Sequence, residues 1–253
     1  MKWLPCLCML FFTLSTRAQL VNIESQRIHS DSVRQSGEFN FDYSYSNVNS
    51  KPISVFNSAL SLQQKSKNLK TTWLILGSAE TSKAKGEDFE NASFLHFRVS
   101  HKLNKWLRWE AFNQVQANLP IGLRFRYLAG TGPRFKVFAN KNFNLYLGTV
   151  YMYEYDKMND SVTIRRHLGR SSSYYSFALS IPAIKADLTS TTYFQPRFSD
   201  FNDFRVLTEN RLEFSITKKL KSQTTFRYFY DSRPAKGINN FITAFDQGFG
   251  WKF

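Results

Sequence analysis

The sequence predicts an all-β fold, a transmembrane antiparallel up-and-down β-barrel of about twelve strands. Three observations carry that prediction. Apolar and polar residues alternate along stretches of about ten residues, broken by polar turns. The polar partners in those stretches include full charges, which a bilayer interior excludes. The chain is also rich in aromatics, with 25 Phe, 12 Tyr and 5 Trp, yet past its first residues it holds no long apolar run.

The N-terminus reads as a leader. Lys2 supplies a positive start, residues 4–14 form an apolar stretch, and Thr16-Arg17-Ala18 places small residues where a signal peptidase cuts, so residues 1–18 are expected to be removed. The apolar stretch is shorter than the roughly 20 residues a spanning helix needs. Both cysteines, Cys6 and Cys8, fall in the leader, so stability of the mature chain must come from a core or from lipid rather than from disulfides. Residues 19–37 are read as an N-terminal periplasmic segment and 38–253 as the outer-membrane barrel.

Strands are expected at 38–47, 53–63, 69–80, 92–102, 106–117, 122–138, 142–156, 173–182, 186–196, 203–216, 221–231 and 241–253. The first alternates Phe39, Phe41, Tyr43 and Tyr45 with Glu38, Asn40, Asp42 and Ser44. The last alternates Phe241, Phe245, Phe249, Trp251 and Phe253 with small or polar residues. Phe253 there resembles the terminal aromatic signal read by the outer-membrane assembly machinery. An even strand count suits a single-chain bacterial barrel, and alternate links are short and long, as short periplasmic turns and longer outer loops require. The long ones are 81–91, 157–172 and 232–240. A soluble sandwich or lipocalin-like barrel shares the alternation, but needs neither the terminal Phe nor the aromatic excess.

The chain carries 34 Lys and Arg against 19 Asp and Glu. Such a surplus can mark a nucleic-acid binder, but here it is scattered, forms no basic arm, and belongs to an exported chain. Nucleic acid is therefore excluded as a partner, and the acidic partners expected are outer-membrane lipid and lipopolysaccharide. In the loop expected at 157–172, Arg165, Arg166 and Arg170 are candidates for clamping lipopolysaccharide phosphate through charge-assisted bonds; the plainer reading is a solvated, mobile loop.

The charged residues of the alternating strands must face a lumen. The candidates are Glu110, Arg124, Arg126, Arg134, Glu154, Arg205, Glu209, Arg211, Glu213 and Arg227. Two readings stay open. A narrow barrel fills its interior with ion pairs, because a buried charge must be paired. Alternatively, Arg opposite Glu creates a transverse field at a constriction and favours small anions. Gly130, Gly132 and Pro133 inside one strand suggest a bulge or a close backbone approach.

Catalytic signals are weak. There are four His, and no two have metal-ligand spacing. His96 should face inward, His101 should lie near a turn, and His167 lies near Ser171, Ser172 and Ser173. That last pairing is generic for a nucleophile and base. No cofactor is implied, and the chain is read as non-enzymatic.

Four short motifs occur in order: Trp109-Glu110-Ala111-Phe112-Asn113-Gln114-Val115-Gln116, Gly130-Thr131-Gly132-Pro133-Arg134, Tyr151-Met152-Tyr153-Glu154 and Gln195-Pro196-Arg197. Together they resemble the outer-membrane family catalogued as domain of unknown function 481, described as salt-stress-induced outer-membrane protein-like, over about 20–253. The resemblance implies an outer-membrane barrel with no established activity and brings no catalytic residues. The functions in view are a small-solute pore, a closed structural or envelope-stress barrel touching lipopolysaccharide or another envelope protein, and a lipid-modifying enzyme.

Overall fold

The computed structural model describes residues 34–48, 51–84, 90–158, 164–217 and 220–251. Residues 1–18, expected to be a leader, together with His29 and Phe253, lie outside the described residues. Twelve strands follow one another: β1 (Gln35–Val48), β2 (Lys51–Lys65), β3 (Thr71–Ala84), β4 (Glu90–Lys102), β5 (Leu107–Asn118), β6 (Leu123–Ala139), β7 (Phe143–Met158), β8 (Ile164–Ile181), β9 (Ala186–Arg197), β10 (Asp200–Ser215), β11 (Leu220–Asp231) and β12 (Phe241–Trp251). They form a single antiparallel up-and-down sheet in which each strand pairs with the next in sequence.

Residues opposite one another in an antiparallel ladder share a face of the sheet, so the registers trace each face around the fold. One face runs from Glu38 through Ser61, Leu76, His96, Gln114 and Leu128 to Glu154. Further on it runs through Tyr174, Tyr193, Leu207 and Phe229 to Ile242. This is the concave face. Arg205 of β10 reaches Glu154 of β7 at 2.8 Å, which a flat sheet with two strands between them would not allow. The opposite face carries most of the exposed large apolar residues, including Phe39, Phe41, Tyr43, Phe97, Tyr151 and Phe245. The twelve strands therefore form a curled, barrel-type sheet with charge and polarity inside and aromatics outside.

The end of the barrel carrying the links 66–70, 103–106, 140–142, 182–185 and 216–219 is here termed proximal. Its turns are fixed by short polar side chains. Asn104 Oδ1 accepts from the amides of Trp106 and Leu107, Asn140 Oδ1 accepts from those of Asn142 and Phe143, and Asn68 Oδ1 accepts from that of Lys70. Asn can mimic a backbone turn in this way, which is why it punctuates strands.

At the distal end the strands run further than their sequence suggested. β8 begins at Ile164, not 173, so residues 164–172 of the loop expected at 157–172 are strand, as are Lys157 and Met158 of β7. The arginines of that loop read as loop because they are charged, yet Arg166, Leu168, Arg170 and Ser172 are one inner face. Residues 81–84 and 90–91 of the loop expected at 81–91 are likewise strand, whereas 232–240 remains a link between β11 and β12. β1 also starts at Gln35, inside the segment expected to precede the barrel. At Gly132 and Pro133 the register on either side is unbroken (Thr131↔Tyr151, Arg134↔Gly148), so there is no bulge. A Cβ on Gly132 would instead lie 2.1 Å from the Thr149 carbonyl oxygen, and close approach is the reason for the glycine.

Candidate functional site

The concave face is built in tiers. Toward the distal end, Glu154 is wholly buried, at 0 % exposure, and lies among three guanidinium groups. Arg205 donates to it at 2.8 Å, and Arg170 and Arg126 approach to 3.3 and 3.8 Å. Each arginine has a second carboxylate. Arg126 forks onto both oxygens of Asp156 at 2.7 and 2.8 Å. Arg205 meets Asp231 at 2.9 Å. Arg170 binds the Asp203 carboxylate at 2.7 Å and the Asp203 and Gln195 carbonyl oxygens. The cluster thus ties β6, β7, β8, β10 and β11 together with nearly balanced charge, the arrangement that makes buried ions tolerable.

Toward the middle, Arg98 donates to Glu110 at 3.0 Å, and His96 Nδ1 meets Gln114 Oε1 at 2.9 Å. Two apolar groups pack beside these ions: Phe112 with Leu128, Val150 and Met152, and Tyr174 with Tyr193, Leu207 and Phe229. The cavities left between the charged and apolar groups measure about 50 and 30 Å³. On the β5–β11 side, the interior is a plug.

The concave faces of β12, β1, β2 and β3 differ. They carry Ala244 and Gly248 beside Ile242 and Asp246, then Glu38, Asn40 and Asp42, then Asn57, Ala59 and Ser61, then Ser78 beside the buried Leu74 and Leu76. Glu38, Asn40, Asp42, Ala59 and Gly248 are exposed. Around β12, β1 and β2 these small or exposed side chains leave the concave face less filled than on the β5–β11 side, while Leu74 and Leu76 of β3 are buried.

The proximal mouth holds a cavity of about 210 Å³, bordered by Lys65, Lys102, Lys105, Arg108, Arg134 and Lys136, with Ser100, Trp106 and Tyr146 among its walls. Lys102 faces Arg108, and Arg108 faces Arg134, across adjacent strands. The Arg134 guanidinium stacks 3.9 Å above the Tyr146 ring.

Of the charges expected to line the interior, Glu110, Arg126, Arg134, Glu154, Arg205 and Glu209 are buried on the concave face. Arg211, Glu213 and Arg227 are partly exposed; Arg211 and Arg227 approach Glu209, Arg227 also pairs with Asp246, and Glu213 pairs with Lys221. Arg124 does not face inward. The ladder slips between Leu123 and Phe125, and the extra residue of this β-bulge turns Leu123 in and Arg124 out. Arg170 is no surface clamp: it is 1 % exposed and held in the ion cluster. Arg165 stays exposed and Arg166 half-buried, both in β8 rather than in a loop. The candidate set omitted Arg98, Asp156, Asp203 and Asp231. Each has the parity of a named neighbour; Asp156 and Asp203, for example, lie two residues from Glu154 and Arg205. His167 Nδ1 meets the Tyr153 hydroxyl at 2.7 Å, while Ser171 Oγ meets Ser173 Oγ at 3.1 Å.

No curated protein matches the chain. Among solved structures, the NanC porin is 13 % identical, with 87 % of this chain and 98 % of that one covered and a TM-score of 0.49. The beta domain of the Bordetella autotransporter BrkA is 11 % identical, with the same coverage and a TM-score of 0.40. A family model described as "Protein of unknown function, DUF481" matches residues 38–253. With that match extending from β1 past the end of β12, the chain belongs to the DUF481 family.

Proposed function

We propose that this chain is an outer-membrane β-barrel, exported by its leader, that passes small polar solutes along the less filled side of its interior, beside a fixed plug. The exposed aromatic outer face supports the membrane reading, because soluble chains rarely leave large apolar surfaces uncovered. With the N-terminus periplasmic, the proximal mouth faces the periplasm. The observation that carries the pore reading is the contrast between the two halves of the concave face. Ions and aromatics fill β5–β11, whereas Asn40, Ala59 and Gly248 on the other side are exposed.

Conductance in a planar bilayer tests this. The refolded barrel should give discrete steps. Ala59 and Ser78 face each other across β2 and β3, so an Ala59→Trp, Ser78→Trp variant should narrow the passage and cut the step size sharply. A barrel that inserts and stays silent would sink the pore reading. It would leave the closed, structural role, which the balanced ion cluster around Glu154 favours.

On the same reading the barrel is not an enzyme, and its partner at the distal rim is lipopolysaccharide. The contact moves from the interior Arg170 to the outer face, where Lys157 lies opposite Arg165 and the bulge presents Arg124. These cations border Phe125, Tyr127 and Tyr155, and an aromatic girdle under a basic rim suits the boundary between lipid and headgroup. An Arg124→Gln, Arg165→Gln variant should associate less with lipopolysaccharide-containing vesicles in flotation, while Arg166→Gln changes little. Equal flotation of the double variant and the parent would remove the contact.

A further inference from the structure

We propose that the proximal mouth is a binding site for a small polyvalent oxyanion, of the phosphate or polycarboxylate class. Six cations border one cavity of about 210 Å³, and no carboxylate lines it among the described residues. The nearest inner carboxylate along β5, Glu110, is engaged by Arg98. Across β4, β5 and β6 the residues Lys102, Arg108 and Arg134 stand side by side on one face. Like charges directly opposite one another destabilise a ladder, and a multiply charged anion held between them reverses the sign of that interaction.

A second observation points into the same cavity. Ser100, only 3 % exposed, lines it, and its Oγ has no hydrogen-bond partner among the described residues. A buried hydroxyl without a partner is costly, and an oxyanion would accept its proton. Tyr146 beneath Arg134 fixes the plane of that guanidinium, so a rigid fork and flexible lysines converge on one volume. Pockets for drug-sized ligands span about 300–1,000 Å³, so this one suits a smaller guest.

The site rests on the barrel fold and not on conduction, so a silent barrel can still bind. Isothermal titration of the refolded full-length mature chain, in zwitterionic detergent at low salt, would use tripolyphosphate and citrate as probes. Saturable binding of either, weakening as salt rises, is the expected result. Lys102 and Lys136 are exposed, so replacing them should leave the fold intact. Lys102→Gln and Lys136→Gln should each weaken binding about tenfold, the loss of one charge-assisted bond. Lys221→Gln, whose lysine pairs with Glu213 and does not line the cavity, should leave affinity unchanged. Absence of binding by both probes overturns the proposal. So does an equal loss in the Lys221→Gln variant, which would mark the interaction as diffuse charge attraction.

Discussion

Replacing Glu154 with alanine is expected to destabilise the barrel by about 3 kcal/mol, the lower end of the cost of breaking a buried ion pair. Glu154 has no exposure, and Arg205, Arg170 and Arg126 all lie within 4 Å of its oxygens. Removing it takes away the acceptor these three guanidinium groups share, in a place where water cannot replace it. Asp156, Asp203 and Asp231 hold the outer sides of the same arginines, so the cluster should loosen rather than vanish. Urea unfolding in detergent, followed by tryptophan fluorescence, would read the shift. Glu213→Ala is the matched control. Its partner Lys221 is half exposed, and such a surface pair is worth about 0–1 kcal/mol. Equal midpoints for the two variants would show that Glu154 does not hold the interior together.

The second large effect is expected at Gly132. An added Cβ would sit 2.1 Å from the Thr149 carbonyl oxygen and 2.8 Å from the Val150 Cα. Both are backbone atoms of β7 and cannot rotate aside, so Gly132→Ala must push β6 and β7 apart. The expected cost is about 3 kcal/mol, at the upper end of overpacking penalties, with poor yield of heat-resistant folded barrel on gels. Gly148 offers a graded comparison. Its Cβ would meet the Tyr174 ring, a side chain that can swing, so Gly148→Ala should cost less. Gly248→Ala, with nothing within 4 Å, should be neutral. A Gly132→Ala barrel as stable as the Gly248→Ala one would refute the close-approach account.

Strand number and order were legible because period-two alternation survives wherever one face is charged and the other aromatic, as in Phe39 to Ser44. What the pattern hid has identifiable physical causes. The stretch from Ile164 to Ser172 looks like loop, because three arginines in six residues suggest solvent. Only the carboxylates of Glu154, Asp156 and Asp203, on other strands, make an inward arginine there tolerable. Arg124 was assigned to the wrong face because a single extra residue in the ladder reverses every parity argument beyond it, and nothing local announces that residue. Asp203 was expected to open its strand, but it lies beside another irregularity, between Asp200 and Phe204, which obscures its face. The cationic mouth was invisible for a different reason. Lys65, Lys102, Arg108 and Arg134 lie on four strands, and only the registers bring them to one height.

The Glu154 cluster has a consequence for how the chain comes together. Its contacts span long loops, with Arg205 lying 51 residues from Glu154, and no one hairpin can satisfy them. Arg126 can meet Asp156 and Arg205 can meet Asp231 within single hairpins, but Glu154 gains Arg170 and Arg205 only when β7, β8 and β10 come together, so the centre of that half closes in one step. On the opposite side β1 to β3 join through neighbouring ladders with little reaching across the lumen, and can zip one hairpin at a time. The barrel is thus divided lengthwise into a wall whose centre closes all at once and a wall that can be added strand by strand.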